Sequence, residues 1–238
     1  MSNELTNTDL GFVVRRIPKD IREIMQRQGL LLGGGFIRET IAGSPAQDID
    51  LFGATESALR AASEYLASSR QGRCHATPNA FTVLAHPRLP VQFIARWLFS
   101  EPEALVASFD FTVCQAVIWF DPHQKTWRSL VGEGFYPDLA ARRLVYTSPT
   151  REEAAGGSML RVRKFLQRGY SIQATSLAAV IARVAAKVEW GRLRCDADPE
   201  KNAAIVIAGL LHEVDPLVVV DGLDPIDEHA LVDGEPGQ

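Results

Sequence analysis

The sequence predicts an α+β protein: a head in which short strands alternate with helices, followed by an appendage of helices alone. Three observations lead there. Short Val-, Ile- and Phe-rich runs bounded by Gly, Pro and Asn alternate with helical patterns up to about residue 147. From about residue 150 onward only helical periodicity is visible. The 238 residues, 46% apolar and 23% charged, are enough to bury a sizeable core. We expect a head over 1–147, a helical segment over 148–215 and an acidic, loosely ordered tail over 216–238.

In order along the chain, Pro18 starts a helix carrying Ile17, Ile21, Ile24 and Met25 at near-helical spacing, and Gly29 stops it. A strand at 30–32 follows and is broken by Gly33, Gly34 and Gly35, which open a second helix ending at Gly43. Residues 48–52 alternate polar and apolar, the pattern of a half-buried strand. Thr55 caps an alanine-rich helix to about Arg70, and 72–76, 80–85 and 91–95 read as strands of one sheet. Ser100 and Glu103 form a capping box for a short helix. The run 111–120 reads as a buried strand, paired through the turn at Asp121 and Pro122 with one around Trp127. Helices are expected over 151–168, 174–190 and 199–213.

Composition narrows the function classes. No apolar run approaches the roughly 18 residues of a bilayer span, and the polar N-terminus does not read as a signal peptide, so a cytoplasmic location and no membrane partner are expected. Residues 191–238 hold three Lys/Arg against eleven Asp/Glu, leaving a mildly basic front with 22 against 18. That suits a small anionic substrate and argues against binding long duplex DNA. Cys74, Cys114 and Cys195 fit no disulfide framework or zinc spacing and are expected reduced and buried. The five histidines show no metal-ligand spacing, and the four tryptophans fall in segments that read as core.

The chemistry concentrates in two places. The glycine triplet lies between a strand and a helix, where backbone N–H groups and the positive helix end can hold phosphate oxygens. Arg38, one turn into that helix, can grip the same phosphates. Asp48 and Asp50 stand two apart on a strand and so share a face, where paired carboxylates repel unless a cation lies between them. Oxygen-only ligation suits Mg²⁺ held jointly by carboxylates and substrate phosphates.

Gly34-Gly35-Phe36-Ile37-Arg38-Glu39, nine residues, then Asp48-Ile49-Asp50-Leu51 resembles the head of the class II CCA-adding enzymes and bacterial poly(A) polymerases, of the polymerase-β-like nucleotidyltransferase superfamily. Phe109-Asp110-Phe111-Thr112-Val113, then Asp138-Leu139 with Arg142 and Leu144, and Leu160-Arg161-Val162-Arg163-Lys164-Phe165 closing with Gly169-Tyr170 are similar to later motifs of that family, in its order. The resemblance covers roughly residues 29–172.

It implies a polymerase-β-like head with a mixed five-stranded sheet and flanking helices, then a helical neck. The implied reaction transfers a nucleoside monophosphate from an NTP to an acceptor hydroxyl, on an RNA 3′ end or a protein. By the same resemblance Asp48 and Asp50 are the catalytic residues and hold two Mg²⁺ (or Mn²⁺). Gly34, Gly35, Arg38, Asp110, Arg161 and Lys164 bind nucleotide. The departures matter as much. Val91-Gln92-Phe93 places a neutral amide where the family carries a third carboxylate, Phe109 replaces an arginine, Cys114 an asparagine, and Gly156-Gly157 an Asp-Pro pair. The short acidic remainder argues against CCA addition to tRNA. The alternative is a disarmed nucleotide-binding or structural module of the same fold.

Overall fold

The computed structural model describes residues 3–149, 156–190 and 198–211. The chain divides into two compact units, Met1–Pro149 and Thr150–Gln238. In the first, α1 (Asn7–Arg16) is capped by the Thr6 hydroxyl, which accepts from the Asp9 N–H. After it, α2 (Lys19–Gln28) ends on Gly29 in the left-handed region at φ 63°. Then come β1 (Leu31–Gly33), α3 (Gly35–Ala42), β2 (Ile49–Phe52), α4 (Glu56–Ser69), β3 (Arg73–Ala76), β4 (Ala80–Leu84) and β5 (Val91–Ile94). The unit continues with α5 (Pro102–Ser108), a 3₁₀ turn at Thr112–Cys114, β6 (Ala116–Asp121), β7 (Thr126–Val131) and α6 (Phe135–Ala140).

The strands form one mixed sheet in the order β3-β4-β5-β2-β1-β6-β7, with β2 and β5 parallel and every other pair antiparallel. Seven strands replace the five expected, because hairpins extend both edges: β3 pairs outside β4, and β7 outside β6. Alternation assigns the two faces. Ile49, Leu51, Val91, Phe93, Phe81 and Val83 point to one side, where α2 (Ile21, Ile24, Met25) and α4 (Leu59, Leu66) supply the other half of a buried core. Leu31, Phe52 and Val117 point to the other side and pack under Leu105 and Val106 of α5, with Phe109 at the edge of that cluster.

In the second unit α7 (Gly157–Gln167), α8 (Ala174–Ala185) and α9 (Pro199–Leu211) are the described helices. Val188 and Ala203 pack there with Ile207 and Leu210. Gly156 is required by close approach, since a Cβ would collide with the Leu210 carbonyl. Among the described residues no helix is long and apolar enough to cross a membrane.

Several expectations change. The N-terminal helix α1 was not anticipated. Residues 112–114 form a 3₁₀ turn rather than the start of β6. The cap of α5 is Glu101, with no side-chain bond, so Ser100 and Glu103 form no capping box. The helix expected over 174–190 stops at Ala185. Cys74 is exposed on the edge strand β3 while Cys114 is buried, and Trp190 is exposed rather than core. The tail 216–238, Cys195 and the helix start at 151–155 lie outside the described residues.

Candidate functional site

The site is built where β1 turns into α3, and each glycine of the triplet has its own reason. A Cβ on Gly33 would stand 2.9 Å from Phe109 Cζ and 3.0 Å from Phe52 Cε2, so that position must be bare to admit two aromatic rings. Gly34 has φ 70° and ψ −119°, a conformation open to glycine alone at low cost, and its N–H donates to the Ala116 carbonyl at 3.0 Å. Gly35 faces Arg38 Nη2 and Asp48 Oδ1, 3.7 and 3.8 Å from where its Cβ would be. The missing side chain there leaves a gap between a cation and a carboxylate.

Asp48, expected on one strand face with Asp50, instead ends the loop that enters β2, which begins at Ile49, whose N–H donates to the Pro90 carbonyl at 3.0 Å. Asp50, on β2, stands opposite Gly33 of β1 on one side and Gln92 of β5 on the other. Gln92 in turn stands opposite Thr82 of β4. Paired residues share a face, so Thr82, Gln92, Asp50 and Gly33 form one row across four strands. Both Gln92 and Thr82 are buried, and the Thr82 hydroxyl has no hydrogen-bond partner among the described residues.

Arg38 is 4% exposed. Its Nε and Nη2 donate to Glu39 Oε1 at 3.0 and 2.8 Å, and its Nη1 donates to Cys114 Sγ at 3.2 Å. The guanidinium is therefore a fixed, internally held cation beside the bend. Asp110 is buried directly after Phe109, and its carbonyl accepts from the Thr147 N–H at 2.9 Å. The motif aspartate Asp138 is also buried and takes its ion pair from Arg143, its other oxygen accepting from the Thr112 hydroxyl at 2.6 Å. Arg161 and Lys164 stand on α7, in the second unit, both partly exposed.

The structure thus gathers Gly35, Arg38 and Asp48 at the bend, with Asp50 and Gln92 alongside on β2 and β5. Sequence reasoning missed Glu39 as the holder of Arg38 and missed Thr82. The second had a faint signal, a lone polar residue in the apolar run 80–84. Asp48 and Asp50 supply oxygen donors only, the kind a hard divalent cation takes. No group of three or more His, Cys, Asp or Glu residues able to hold a metal occurs among the described residues.

This sheet, with its bend and flanking helices, is the fold of the nucleotidyltransferase heads of CCA-adding enzymes. The chain is similar to a Thermotoga maritima CCA-adding enzyme complexed with tRNA over 93% of its own length and 54% of that chain, at 20% identity and TM-score 0.55. It is similar to a CCA-adding enzyme in complex with ATP over 88% and 55%, at 18% identity and TM-score 0.58. The sequence itself belongs to the Gabija anti-defense 2 family, whose profile matches residues 4–142. A curated relative, Gabija anti-defense 2 of Bacillus phage SPbetaL7, is 24% identical over 165 residues, 68% of this chain and 39% of that protein. The chain spans about two fifths of that relative's length and just over half of the solved enzymes. The likeness to CCA-adding enzymes therefore holds for the fold, while the family is a distinct one.

Proposed function

We propose that this chain is a counter-defence protein built on a nucleotidyltransferase head, which moves a nucleoside monophosphate from an NTP to an acceptor hydroxyl of a Gabija defence component or of RNA. The observation that carries the reading is the convergence of Asp48 with the Gly35 gap and Arg38, with Asp50 two residues on along the same chain. Asp48 and Asp50 would hold Mg²⁺ or Mn²⁺. When bound, such an ion neutralises triphosphate charge and polarises the reacting oxygens.

The residues do the rest by position. Gly35 and the start of α3 leave room for phosphate oxygens beside backbone N–H groups. Arg38, immobilised by its ion pair with Glu39, keeps its guanidinium in place beside the bend and loses no rotamer freedom on binding. The acceptor oxygen forms a bond to the α-phosphorus, the α–β phosphoanhydride bond breaks, and pyrophosphate leaves. The hydroxyl proton passes to solvent or to the departing pyrophosphate. Asp110 is assigned to nucleotide recognition on the motif resemblance to CCA-adding enzymes.

Incubating the purified chain with α-labelled NTPs, Mg²⁺ and either total RNA or Gabija proteins should label one acceptor, and Asp48→Asn with Asp50→Asn should abolish the label. A second reading, a nucleotide-binding module without turnover, draws on Gln92 as a neutral neighbour of Asp50. It predicts that NTP with Mg²⁺ raises the melting temperature while nothing is labelled. The labelling assay separates the two, since the double Asn variant loses nucleotide binding under both readings and only the catalytic one requires wild type to label an acceptor.

A further inference from the structure

The row on β4, β5, β2 and β1 has a direction: the glycine bend lies on one flank of Asp50, and Gln92 with Thr82 lies on the other. In the nucleotidyl-transfer reading the triphosphate takes the bend, which leaves the Gln92 flank of Asp50 as the side for the acceptor. Gln92 is 4% exposed and Thr82 is 0% exposed. Among the described residues the Thr82 hydroxyl lacks a hydrogen-bond partner, a destabilising arrangement that a valine of the same shape would relieve. Both side chains are neutral, and each can donate and accept. That pairing matches a group that is itself neutral and does both, a hydroxyl, and matches a phosphate or carboxylate poorly.

We infer that the Gln92 amide binds the acceptor hydroxyl, and that Thr82 is the positioning residue behind it, its hydroxyl engaging the Gln92 amide once the acceptor is in place. The inference rests on the nucleotidyl-transfer reading. It gives the neutral residue beside Asp50 a task that a carboxylate would perform differently: Gln92 orients the hydroxyl and takes no proton from it.

The test uses the full chain as wild type, Thr82→Val and Thr82→Ser. Thermal unfolding is followed without ligand, with Mn²⁺ and α,β-methylene-ATP, and then with one of two hydroxyl probes added, the ribodinucleotide ApA or N-acetyl-serinamide. The Val variant should melt above wild type without ligand and keep the full nucleotide shift. It should bind whichever probe binds wild type about tenfold more weakly, a single hydrogen bond's worth. The Ser variant should restore probe binding, and the probe that works distinguishes an RNA end from a protein side chain. Equal probe affinity in the Val variant and wild type overturns the inference. So does a lower ligand-free melting temperature for the Val variant, or a nucleotide-loaded wild type that neither probe shifts. If Mn²⁺ and the nucleotide analogue leave wild type unshifted, the nucleotidyl-transfer reading itself has failed.

Discussion

Asp50 and Gln92 stand opposite each other on the parallel strands β2 and β5, so a carboxylate and a neutral amide share the centre of one sheet face. Introducing a second charge there is an informative perturbation. Gln92→Glu puts like charges in direct register, which raises the pKa of the new carboxyl and destabilises the cation-free chain at neutral pH by about 1–2 kcal/mol. Mn²⁺ should recover that loss, and so should acid. Melting temperatures in chelator and in Mn²⁺ across pH 5–8 check this, and an unchanged melting temperature in chelator would contradict the placement.

The glycine bend separates packing from ligand space. Gly33→Ala forces a methyl against the Phe109 and Phe52 rings and should cost about 1–3 kcal/mol. Gly35→Ala meets only ordinary contacts at 3.7 and 3.8 Å, so the fold should survive within about 1 kcal/mol. Its methyl fills the gap between Arg38 and Asp48, and nucleotide affinity should fall at least about tenfold, about 1.4 kcal/mol. Calorimetric titration with the ATP analogue alongside urea unfolding reads both effects.

Asp48→Asn combined with Asp50→Asn should leave a folded chain whose melting temperature no longer responds to Mn²⁺ with nucleotide. A stabilising ligand at one hundred times its Kd contributes about 2.7 kcal/mol to wild type, so the difference is well within reach of a thermal scan. Retention of the full shift would remove the two aspartates from the binding site.

Acid stability should depend on Asp20. The buried Arg70 guanidinium donates to both Asp20 oxygens at 2.8 and 3.0 Å, Arg88 adds a contact at 2.9 Å, and the Arg70 hydrogen bond is the main cause holding the carboxyl below its ordinary value. Because the folded pKa is the lower one, the stabilisation is fully present above the ordinary carboxylate range and is lost as pH falls through the depressed folded value. Asp20→Asn should cost about 1–2 kcal/mol at pH 7, reduced by solvent screening at a carboxylate whose side chain is 28% exposed, and should flatten the acid limb of the stability curve. Urea midpoints from pH 2 to 7 measure it.

Where local pattern decides structure, the sequence was legible. The alternation at 48–52 locates Asp50 on a strand, and the glycine triplet marks the strand-to-helix bend. What escaped reading depends on partners distant along the chain. Gly33 is bare because of Phe109, a residue whose replacement of an arginine was visible but whose packing role was not. Arg38 reads as a phosphate ligand from its spacing, yet its first neighbours are Glu39 and Cys114. Thr82 gains meaning only from its register with Gln92. The helix α1 was missed because it buries little of its surface, with Val13 its one buried residue, and is secured by Thr6, Asp9 and Tyr136, through polar contacts that no periodicity announces.

The hydrogen bond from the Gly34 N–H to the Ala116 carbonyl has a bearing on how the molecule matures. The bend is set early in the chain, but the strand that braces it is β6, made only after β2, β5 and α5. During synthesis the bend therefore waits for a late arrival, and a nascent or clipped chain ending ahead of β6 would carry the acidic pair without the brace that shapes its surroundings.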